Sequence, residues 1–391
     1  MRIGICAPIT INEFLPYLDE ESRKAAKGLI GLTAPAVDVL VRRFIELGLD
    51  IVIFTLAKEV RRSLVLKGSH LKIYVGRYRK TGLFRSMTLF FNEIIILRQF
   101  IRKESGLDII HAHWTYEFAI AALVAKCPVV CTVRDVAEVI LSLNRDWYRL
   151  VRYLMNCYLF AHKERISFIA NSDYTGRQLM QYHKGIKFEI IPNPARLETI
   201  GLGVKTQNPS IISIANGWSE LKNIDRLIVA FADVRNTLPE AELILVGNPF
   251  SPDAGLRCAK MRNLPIEGIK FAGSIPHNAL ADIISSAWVL VHPSLEESFG
   301  NTLIEAMVCS VPVIGGRNSG SVPWVLGHGK GGMLCDVTDI NDITLSILKL
   351  LNDEKLRREI GKKGRLWVEN NFSIAKVAEQ TIEFYRKMLG K

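Results

Sequence analysis

Residues 288–316 read WVLVHPSLEESFGNTLIEAMVCSVPVIGG. This stretch holds an apolar run, a polar loop, a helical pattern and a second apolar run that begins at Val311. Continuous apolar residues, as opposed to alternating ones, are typical of strands covered on both faces, as in parallel sheets. A strand, a helix and a second strand in this order predict a βαβ unit of such a sheet.

Two carboxylates flank the point where the loop becomes the helix: Glu297 on the loop and Glu305 one turn into the helix. Ligands of parallel sheets bind outside the carboxyl ends of the strands. The backbone amides of about 301–303 would be unpaired at the helix start, which suits a diphosphate. Glu305 then suits the vicinal diol of a ribose, and Glu297 suits the hydroxyls of a second ring. The alternative is ordinary capping, with Asn301 as the N-cap.

The same alternation of short apolar runs and helical patterns extends through the chain. It divides into two series at PNPARLETIGLGVKTQNPS (192–210), which reads as a linker because it is rich in proline, glycine and polar residues. The predicted fold class is therefore α/β, with two doubly wound Rossmann-like domains that face each other across a cleft. The predicted parts are an N-terminal domain (1–196), a linker (197–209), a C-terminal domain (210–372) and a terminal helix that packs back towards the N-terminal domain (373–391).

The stretch from His292 to Gly316 resembles the signature of family 4 of the retaining glycosyltransferases, which have the GT-B fold. The resemblance rests on the two glutamates eight positions apart (305 − 297 = 8), the EAM at the second glutamate and the PV strand that follows. KNIDRLIVAF (222–231), DIIHAHW (108–114) and IIPNP (190–194) are similar to other landmarks of the family. The resemblance covers nearly the whole chain. It implies that the C-terminal domain binds a nucleotide sugar and that the N-terminal domain binds the acceptor.

The resemblance also implies roles for single residues of the second half. Glu297 and Lys222 would be the catalytic residues: Glu297 holds the hydroxyls of the donor sugar, and Lys222 offsets the charge of the diphosphate. Glu305 would bind the nucleotide ribose. Further contacts with the donor are implied for Gly217, Gly300, Asn301, Thr302 and Leu303.

Three residues of the first half are candidates for binding the acceptor or a phosphate, namely Gly31, His113 and Arg134. Gly31 lies 17 residues before Gly48 (48 − 31 = 17) and matches the family's glycine loop, although a plain turn is an alternative. His113 lies near the predicted cleft mouth. Arg134 stands where the family often has a histidine; it can hold a phosphate or the acceptor but cannot act as a base, because arginine does not deprotonate.

Two further departures from the family pattern concern the donor site. Trp218 lies where an arginine usually precedes the lysine, and Trp324 replaces a glutamate that commonly follows a proline. Stabilisation of the leaving group would then rest on Lys222 and a helix N-terminus, or on an arginine from elsewhere. The chain also has no Asp-x-Asp motif of the kind that holds a metal on a diphosphate. We therefore expect no cofactor and no metal, with the nucleotide diphosphate sugar as substrate.

Positive charge is concentrated in the first half of the chain. Residues 1–200 hold 29 Lys and Arg against 19 Asp and Glu, whereas residues 201–391 hold 21 against 20. The first half is therefore expected to face an anionic partner. Its segments 76–103 and 146–160 mix basic and apolar residues at helical spacing. Such helices either lie on an anionic membrane surface or pack on the sheet with their basic side chains snorkelling. A nucleic-acid partner is not expected, because no recognised binding module accompanies the charge.

Location is inferred from the cysteines and the first residues. The seven cysteines lie far apart and lack a second pair at zinc-finger spacing, which is typical of free thiols in a reducing compartment. The chain begins with a strand-like MRIGICAPIT, and no secretory signal is evident. We expect a cytoplasmic protein, with peripheral contact to the inner face of the membrane as an open alternative.

The resemblance, together with these patterns, implies a retaining glycosyltransferase. It would move a sugar from a nucleotide diphosphate sugar to a hydroxyl of a glycan or of a lipid-linked acceptor. The alternative is a non-catalytic GT-B protein that binds a nucleotide sugar or an anionic membrane lipid as a subunit or scaffold.

Overall fold

The computed structural model describes residues 1–197 and 203–390, except the side chains of His277 and Asn278. These residues form two compact units. The first comprises Met1–Pro194 and the terminal segment from Ile374 onward, and the second comprises Ala195–Ser373. Of the predicted linker (197–209), residues 198–202 lie outside the described residues, and 203–209 belong to the second unit. The acceptor and donor roles given to the two domains stay predictions.

The first unit is built on a mostly parallel sheet. Its described strands are β1 (Arg2–Cys6), β2 (Asp50–Ala57), β3 (Leu64–Lys67), β4 (Leu71–Arg77), β5 (Ile109–His113), β6 (Val129–Val133), β7 (Ile166–Ala170) and β8 (Phe188–Ile190). They lie in the order β3-β4-β2-β1-β5-β6-β7-β8, and only the edge strand β3 pairs antiparallel. The strand order reverses between β1 and β5, which is where such sheets bind ligands.

Helices cover both faces of this sheet. They are α1 (Glu20–Ala25), α2 (Pro35–Glu46), α3 (Gly82–Met87), α4 (Phe91–Lys103), α5 (Glu117–Ala122), α6 (Ala137–Leu143), α7 (Trp147–Phe160) and α8 (Asp173–Tyr182). Local signals place several of their starts. Asp146 caps α7 by accepting from the amide of Arg149 (2.9 Å), and Ser172 caps α8 through the amide of Thr175 (3.1 Å).

The second unit has an entirely parallel sheet. Its strands are β9 (Ser210–Ile214), β10 (Glu242–Val246), β11 (Ile269–Gly273), β12 (Val289–His292), β13 (Val313–Gly316) and β14 (Met333–Cys335), in the order β11-β10-β9-β12-β13-β14. Its helices are α9 (Ile224–Thr237), α10 (Pro252–Met261), α11 (His277–Ser286), α12 (Asn301–Val308), α13 (Val322–Val325), α14 (Ile340–Asn352) and α15 (Glu354–Phe372). The strand order reverses between β9 and β12. The loop that carries Glu297 leaves the carboxyl end of β12, at this switch point.

The chain ends in helix α16 (Ile374–Met388), which belongs to the first unit. Tyr385 is fully buried there, with its ring 6.0 Å from that of Phe44 in α2. Its hydroxyl lies 2.5 Å from Nδ1 of His111, in the middle of β5. The terminal helix is therefore part of the core of the first unit.

The segment 76–103 differs from the single helical pattern predicted for it. Gly76 and Arg77 are the last residues of β4, and the helical part is divided into α3 and α4. Leu89 and Phe90 separate these helices with φ of 48° and 56°, a conformation that no helix can continue through. The segment 146–160 does form one helix, α7. No helix among the described residues is long and apolar enough to cross a bilayer.

Candidate functional site

Lys222 and Glu297 lie 75 positions apart in the sequence and meet in the second unit. Lys222 ends a short 3-10 helix (Glu220–Lys222) after β9, and Glu297 lies on the loop after β12. The ammonium of Lys222 donates to Oε1 of Glu297. The two side chains are only 25% and 17% exposed, so water screens the pair weakly. The structure thus brings together the two residues predicted to be catalytic.

The charge of Glu297 is stabilised by two neighbours. Burial alone would raise the pKa of its carboxyl, but the adjacent His292 and the ammonium of Lys222 lower this pKa to about 2. Nε2 of His292 lies 3.3 Å from Oε1 of Glu297. Glu297 is therefore an ionised acceptor at neutral pH, suited to hydroxyl groups and unsuited to donating a proton.

Asn223 fixes the position of Lys222. It adopts φ 54° and ψ 29°, a left-handed conformation that separates the 3-10 helix from α9. Its buried side-chain amide donates to the carbonyls of Pro293 (3.0 Å) and Val337 (2.7 Å). The amide of Leu295 donates to the carbonyl of Leu221 (2.8 Å). These bonds hold the Lys222 segment against the loop that carries Glu297.

Replacing Asn223 by glycine is expected to lower both stability and turnover. Glycine keeps the positive φ, so the measured loss reports the side-chain hydrogen bonds of Asn223, about 2 kcal/mol of unfolding free energy. Two of these bonds are donated to buried carbonyls and one is accepted from Arg226. Because Lys222 is then less well positioned, kcat should fall about tenfold or more. Thermal unfolding and steady-state kinetics measure both effects. The exposed Asn352→Gly variant serves as the control, and an unchanged kcat in Asn223→Gly would show that Asn223 does not position Lys222.

Helix α12 begins at Asn301, directly after the loop. Its N-cap is Gly300 at φ 86°, so Asn301 is the first helical residue and not the N-cap that the alternative of ordinary capping required. The amides of the first turn have no intrahelical acceptors, but that of Leu303 is not unpaired as predicted, because it donates to the carbonyl of Gly300 (3.0 Å). Oγ1 of Thr302 lies 3.4 Å from Nδ1 of His292. His292 thus lies between the helix start and Glu297, which binds Lys222 directly.

Glu305 lies within α12 and is half-buried. Burial raises the pKa of its carboxyl to about 7. No group of the described residues donates a hydrogen bond to this carboxyl. A desolvated carboxyl without donors is a costly feature for a fold and is suited to a ligand that supplies them, such as a diol.

Gly217 and Trp218 precede Lys222 in the loop after β9. Gly217 has φ 107°, and a Cβ there would meet no atom within 4 Å. Trp218 packs on Phe250, and its Nε1 donates to Asp225 (2.5 Å). Arg262, which follows α10, donates to the carbonyl of Trp218 (3.3 Å). An arginine thus contacts Trp218 from 44 positions along the chain, and the local sequence gave no signal of it.

Trp324 has a structural role. Its ring packs against Phe299 (6.3 Å between centroids) and Phe372 (5.7 Å), both of which are buried. Phe299 lies two residues after Glu297, so Trp324 packs against the loop that carries Glu297. The replacement of the family's glutamate by tryptophan therefore adds packing and no charge.

His113 and Arg134 lie together in the first unit, at the carboxyl ends of β5 and β6. Arg134 is buried and donates to Oδ1 of Asn193 (2.6 Å) and to Nδ1 of His113 (3.1 Å). Burial lowers the pKa of Arg134 to about 10 and that of His113 well below its ordinary value, so His113 is neutral at pH 7. Since its Nδ1 accepts, its proton is on Nε2, which is buried and has no partner among the described residues.

Gly31 lines a cavity of about 580 Å³ in the first unit. It has φ 85°, and a Cβ there would lie 2.6 Å from the carbonyl oxygen of Ile9, so only glycine fits. Asp135 lines the same cavity and accepts from the hydroxyl of Tyr116 (3.0 Å). Burial raises the pKa of Asp135 to about 6. The sequence showed Asp135 only as the neighbour of Arg134, and nothing in it indicated the cavity.

Comparison with known proteins identifies the family. The profile described as Glycosyl transferases group 1 matches residues 201–367, and that described as Glycosyltransferase Family 4 matches residues 36–199. The chain belongs to family 4 of the glycosyltransferases. This enzyme is 26% identical over 305 residues to N-acetyl-alpha-D-glucosaminyl L-malate synthase of Bacillus anthracis, covering 74% of this chain and 77% of the relative. Two further relatives match it over about half of their own length.

Solved structures show the same fold. Sucrose-phosphate synthase from Thermosynechococcus elongatus superposes with a TM-score of 0.76 at 20% identity, over 100% of this chain and 99% of that one. Anabaena Alr3699/HepE in complex with UDP-glucose superposes with a TM-score of 0.69 at 17% identity, over 99% and 100%. The predictions of the family, of glycosyltransferase activity and of the GT-B fold are therefore confirmed.

Proposed function

We propose that this glycosyltransferase moves a sugar from a nucleotide diphosphate sugar to an acceptor hydroxyl, with retention of the anomeric configuration. The observation that carries the proposal is the partly buried pair of Lys222 and Glu297 beside the start of α12. A cation, a helix N-terminus and an ionised carboxylate within one loop cluster match the parts of a sugar diphosphate.

The donor is bound through three kinds of group. Glu305 accepts hydrogen bonds from the ribose diol, Lys222 and the first turn of α12 bind the diphosphate, and Glu297 accepts from hydroxyls of the sugar. Gly217 and Gly300 let backbone approach the ligand, since neither carries a side chain. The UDP-glucose complex of the Anabaena protein, which has the same fold, supports a nucleotide-sugar donor.

The chemical step depends on stabilising the departing diphosphate. As the bond from the anomeric carbon to the phosphate oxygen breaks, negative charge grows on the diphosphate and attracts the ammonium of Lys222. The acceptor oxygen bonds to the anomeric carbon on the same face, and its proton passes to the departing phosphate oxygen. This front-face route needs no protein base, and Glu297, with a pKa of about 2, is too weak a base to serve as one.

The acceptor is a glycan or a lipid-linked glycan. Within the first unit, His113 offers a buried donor and Arg134 a buried cation, and Gly31 lines the neighbouring cavity. The alternative of a non-catalytic scaffold gains no support from the relatives.

Peripheral contact with an anionic membrane is part of this proposal. Helices α3 and α7 touch each other, and both present exposed apolar side chains. The most exposed of them are Leu83, Phe84, Met87, Trp147 and Leu154. Exposed basic residues lie close by, Arg77 and Lys80 among them. Apolar and basic groups on one surface are typical of an interfacial helix.

The double variant Phe84→Ser/Met87→Ser is expected to bind vesicles of phosphatidylglycerol and phosphatidylcholine at least about tenfold more weakly than the wild type, because two apolar side chains no longer enter the bilayer. Co-sedimentation measures the bound fraction. Leu345→Ser, an exposed leucine of α14 in the second unit, is the control. If both variants bind vesicles as strongly as the wild type, α3 is not a membrane-binding surface.

The function itself is tested with a panel of nucleotide diphosphate sugars and simple glycan and glycolipid acceptors. The expected result is release of nucleotide diphosphate and transfer from one donor. The coupling constant of the anomeric proton, measured by NMR, should show the same anomeric configuration (α or β) in the product as in the donor. A product of inverted configuration would contradict retention. If every donor were hydrolysed to free sugar and none transferred its sugar to an acceptor, the acceptor assignment would be wrong.

A further inference from the structure

The cavity of the first unit lies at the switch point of its sheet. Residues one or two positions after the ends of β1, β5 and β6 line it, namely Pro8, Trp114 and Asp135. Its volume of about 580 Å³ is in the range of small-molecule sites, enough for one sugar or headgroup and too small for a long chain. Trp114 has φ 64°, a strained conformation for a bulky residue and one that clusters at functional sites.

The charged residues that line this cavity do not balance. Four are basic (Lys58, Arg85, Arg149, Arg152) and two are acidic (Glu117, Asp135). Arg152 is paired with Glu117, and Arg149 with Asp146 outside the lining. In the described part of the chain, no carboxylate lies within ion-pairing distance of Lys58 or Arg85. The cavity therefore holds two cations that lack a counter-charge.

Arg85 is the unusual one of these two, because it is buried. Only 8% of it is exposed, whereas Lys58 is exposed to water. Its guanidinium lies over the ring of Tyr78 at 4.1 Å, and Nη1 donates to the carbonyl of Arg79. Its Nε is buried and has no hydrogen-bond partner within residues 1–197 and 203–390. A buried cation with an unused donor is unfavourable unless an anion fills the site.

The two carboxylates of the cavity already have hydrogen-bond donors other than Arg85 and Lys58. Glu117 accepts from Arg152, and Asp135 accepts from Tyr116. Asp135 keeps a second carboxylate oxygen that suits a hydroxyl of the ligand. A ligand with hydroxyls and one anionic group could therefore bind Asp135 through a hydroxyl and Arg85 through the anion.

We infer that the cavity binds the headgroup of an acceptor that carries an oxyanion, a phosphate or a carboxylate, and that Arg85 is the residue that recognises it. This inference rests on the proposed function, since it specifies the acceptor class of the same transferase. A planar guanidinium matches the two oxygens of a phosphate or carboxylate, and the exposed Lys58 adds long-range attraction. The anion source is either a soluble acceptor or a lipid headgroup, because the apolar residues of α3 are neighbours of Arg85 in the chain.

Calorimetry of the full-length chain with glycerol 3-phosphate, succinate and neutral glycerol tests the soluble source. We expect saturable binding of at least one anion and none of glycerol. Arg85→Met should weaken that binding by at least about tenfold, and Arg85→Lys should weaken it less. Arg177→Met, which removes an exposed arginine of α8, is the matched control and should bind as the wild type does.

Flotation with vesicles tests the lipid source. If soluble anions do not bind, then Arg85-dependent retention on phosphatidylglycerol, compared with phosphatidylcholine, supports the inference with a lipid headgroup as the anion. Equal behaviour of Arg85→Met and the wild type in both assays overturns it. If thermal unfolding shows that Arg85→Met does not fold, Lys58→Met is tested in its place. We expect Lys58→Met to lower the anion affinity a few-fold, and an unchanged affinity would overturn the inference.

The proposed function and this inference fail in different ways. Binding of a nucleotide sugar by the second unit should be the same in Arg85→Met and the wild type. Loss of nucleotide-sugar binding in the wild type, with Arg85-dependent anion binding intact, would contradict the transferase proposal alone. Transfer to neutral acceptors only, unaffected by Arg85→Met, would contradict the anionic acceptor alone.

Discussion

The Lys222→Met variant is expected to lower kcat by about 10²–10³-fold, because it removes a preorganised cation from the departing diphosphate. Methionine fills a similar volume, so the loop can stay in place. Affinity for the nucleotide sugar should fall less, about tenfold, since Glu305 and the start of α12 still bind it. A larger effect on kcat than on binding is the mark of a group that acts mainly in the transition state.

The control for this variant is Lys260→Met, which changes an exposed lysine at the end of α10 in the same unit. Its kcat should equal that of the wild type. Thermal unfolding checks the fold, because Lys222→Met leaves the carboxylate of Glu297 with His292 as its remaining neighbour. A folded Lys222→Met enzyme with normal kcat would show that another group stabilises the leaving group, with Arg262 the first to test.

The Glu305→Gln variant is expected to lose nucleotide binding and to gain stability. The pKa of Glu305 is about 7 in the folded chain, above the value of about 4.3 in an unfolded chain. For a group with a raised folded pKa, the contribution to stability is fully present below pH ~4.3 and is lost as pH rises through about 7. At pH 8 glutamine avoids this loss. Because the carboxyl is half-buried and partly screened, we expect a gain of about 2 kcal/mol.

Melting temperatures at pH 5 and pH 8 measure this gain. The variant and the wild type should differ little at pH 5 and by several degrees at pH 8. Glu359→Gln on α15 is the control, since Glu359 is exposed and pairs only with Lys363 among the described residues. If Glu305→Gln binds nucleotide sugars normally, the ribose assignment is wrong.

Donor binding should also depend on pH through Glu305. The ionised carboxylate accepts from the diol, so affinity should be about tenfold lower at pH 6 than at pH 8 if the pKa is about 7. A nucleotide sugar is the proper ligand for this experiment, because its diphosphate carries no group that titrates in this range. The dependence should be absent in Glu305→Gln.

Much of the fold was predictable because its signals are local. The strand that ends at His292, the loop with Glu297 and the helix with Glu305 follow from twenty consecutive residues, and each is where the sequence placed it. Buried parallel strands give continuous apolar runs, which stand out from polar loops. The two-domain arrangement of strands followed from the repetition of that pattern.

Other features were not predictable because they depend on distant contacts. No strand was predicted within 76–103, but the first two of these residues end β4, which runs directly into the basic segment, and β3 is a short edge strand. The contact of Arg262 with Trp218 and the burial of Arg85 each depend on tertiary packing. The resemblance implied donor-site roles for both Lys222 and Glu297, but their ion pair was not predicted, because no spacing rule joins residues 75 positions apart.

The roles of the site residues stay predictions, and they all require that the second unit binds a nucleotide sugar. Calorimetry of the purified chain against UDP, GDP, ADP and their common sugar conjugates, in EDTA and then with magnesium, tests this requirement. We expect one nucleotide and its sugar conjugate to bind in EDTA, with binding lost in Glu305→Gln. Absence of binding across the whole panel, with and without magnesium, would contradict the proposed donor site.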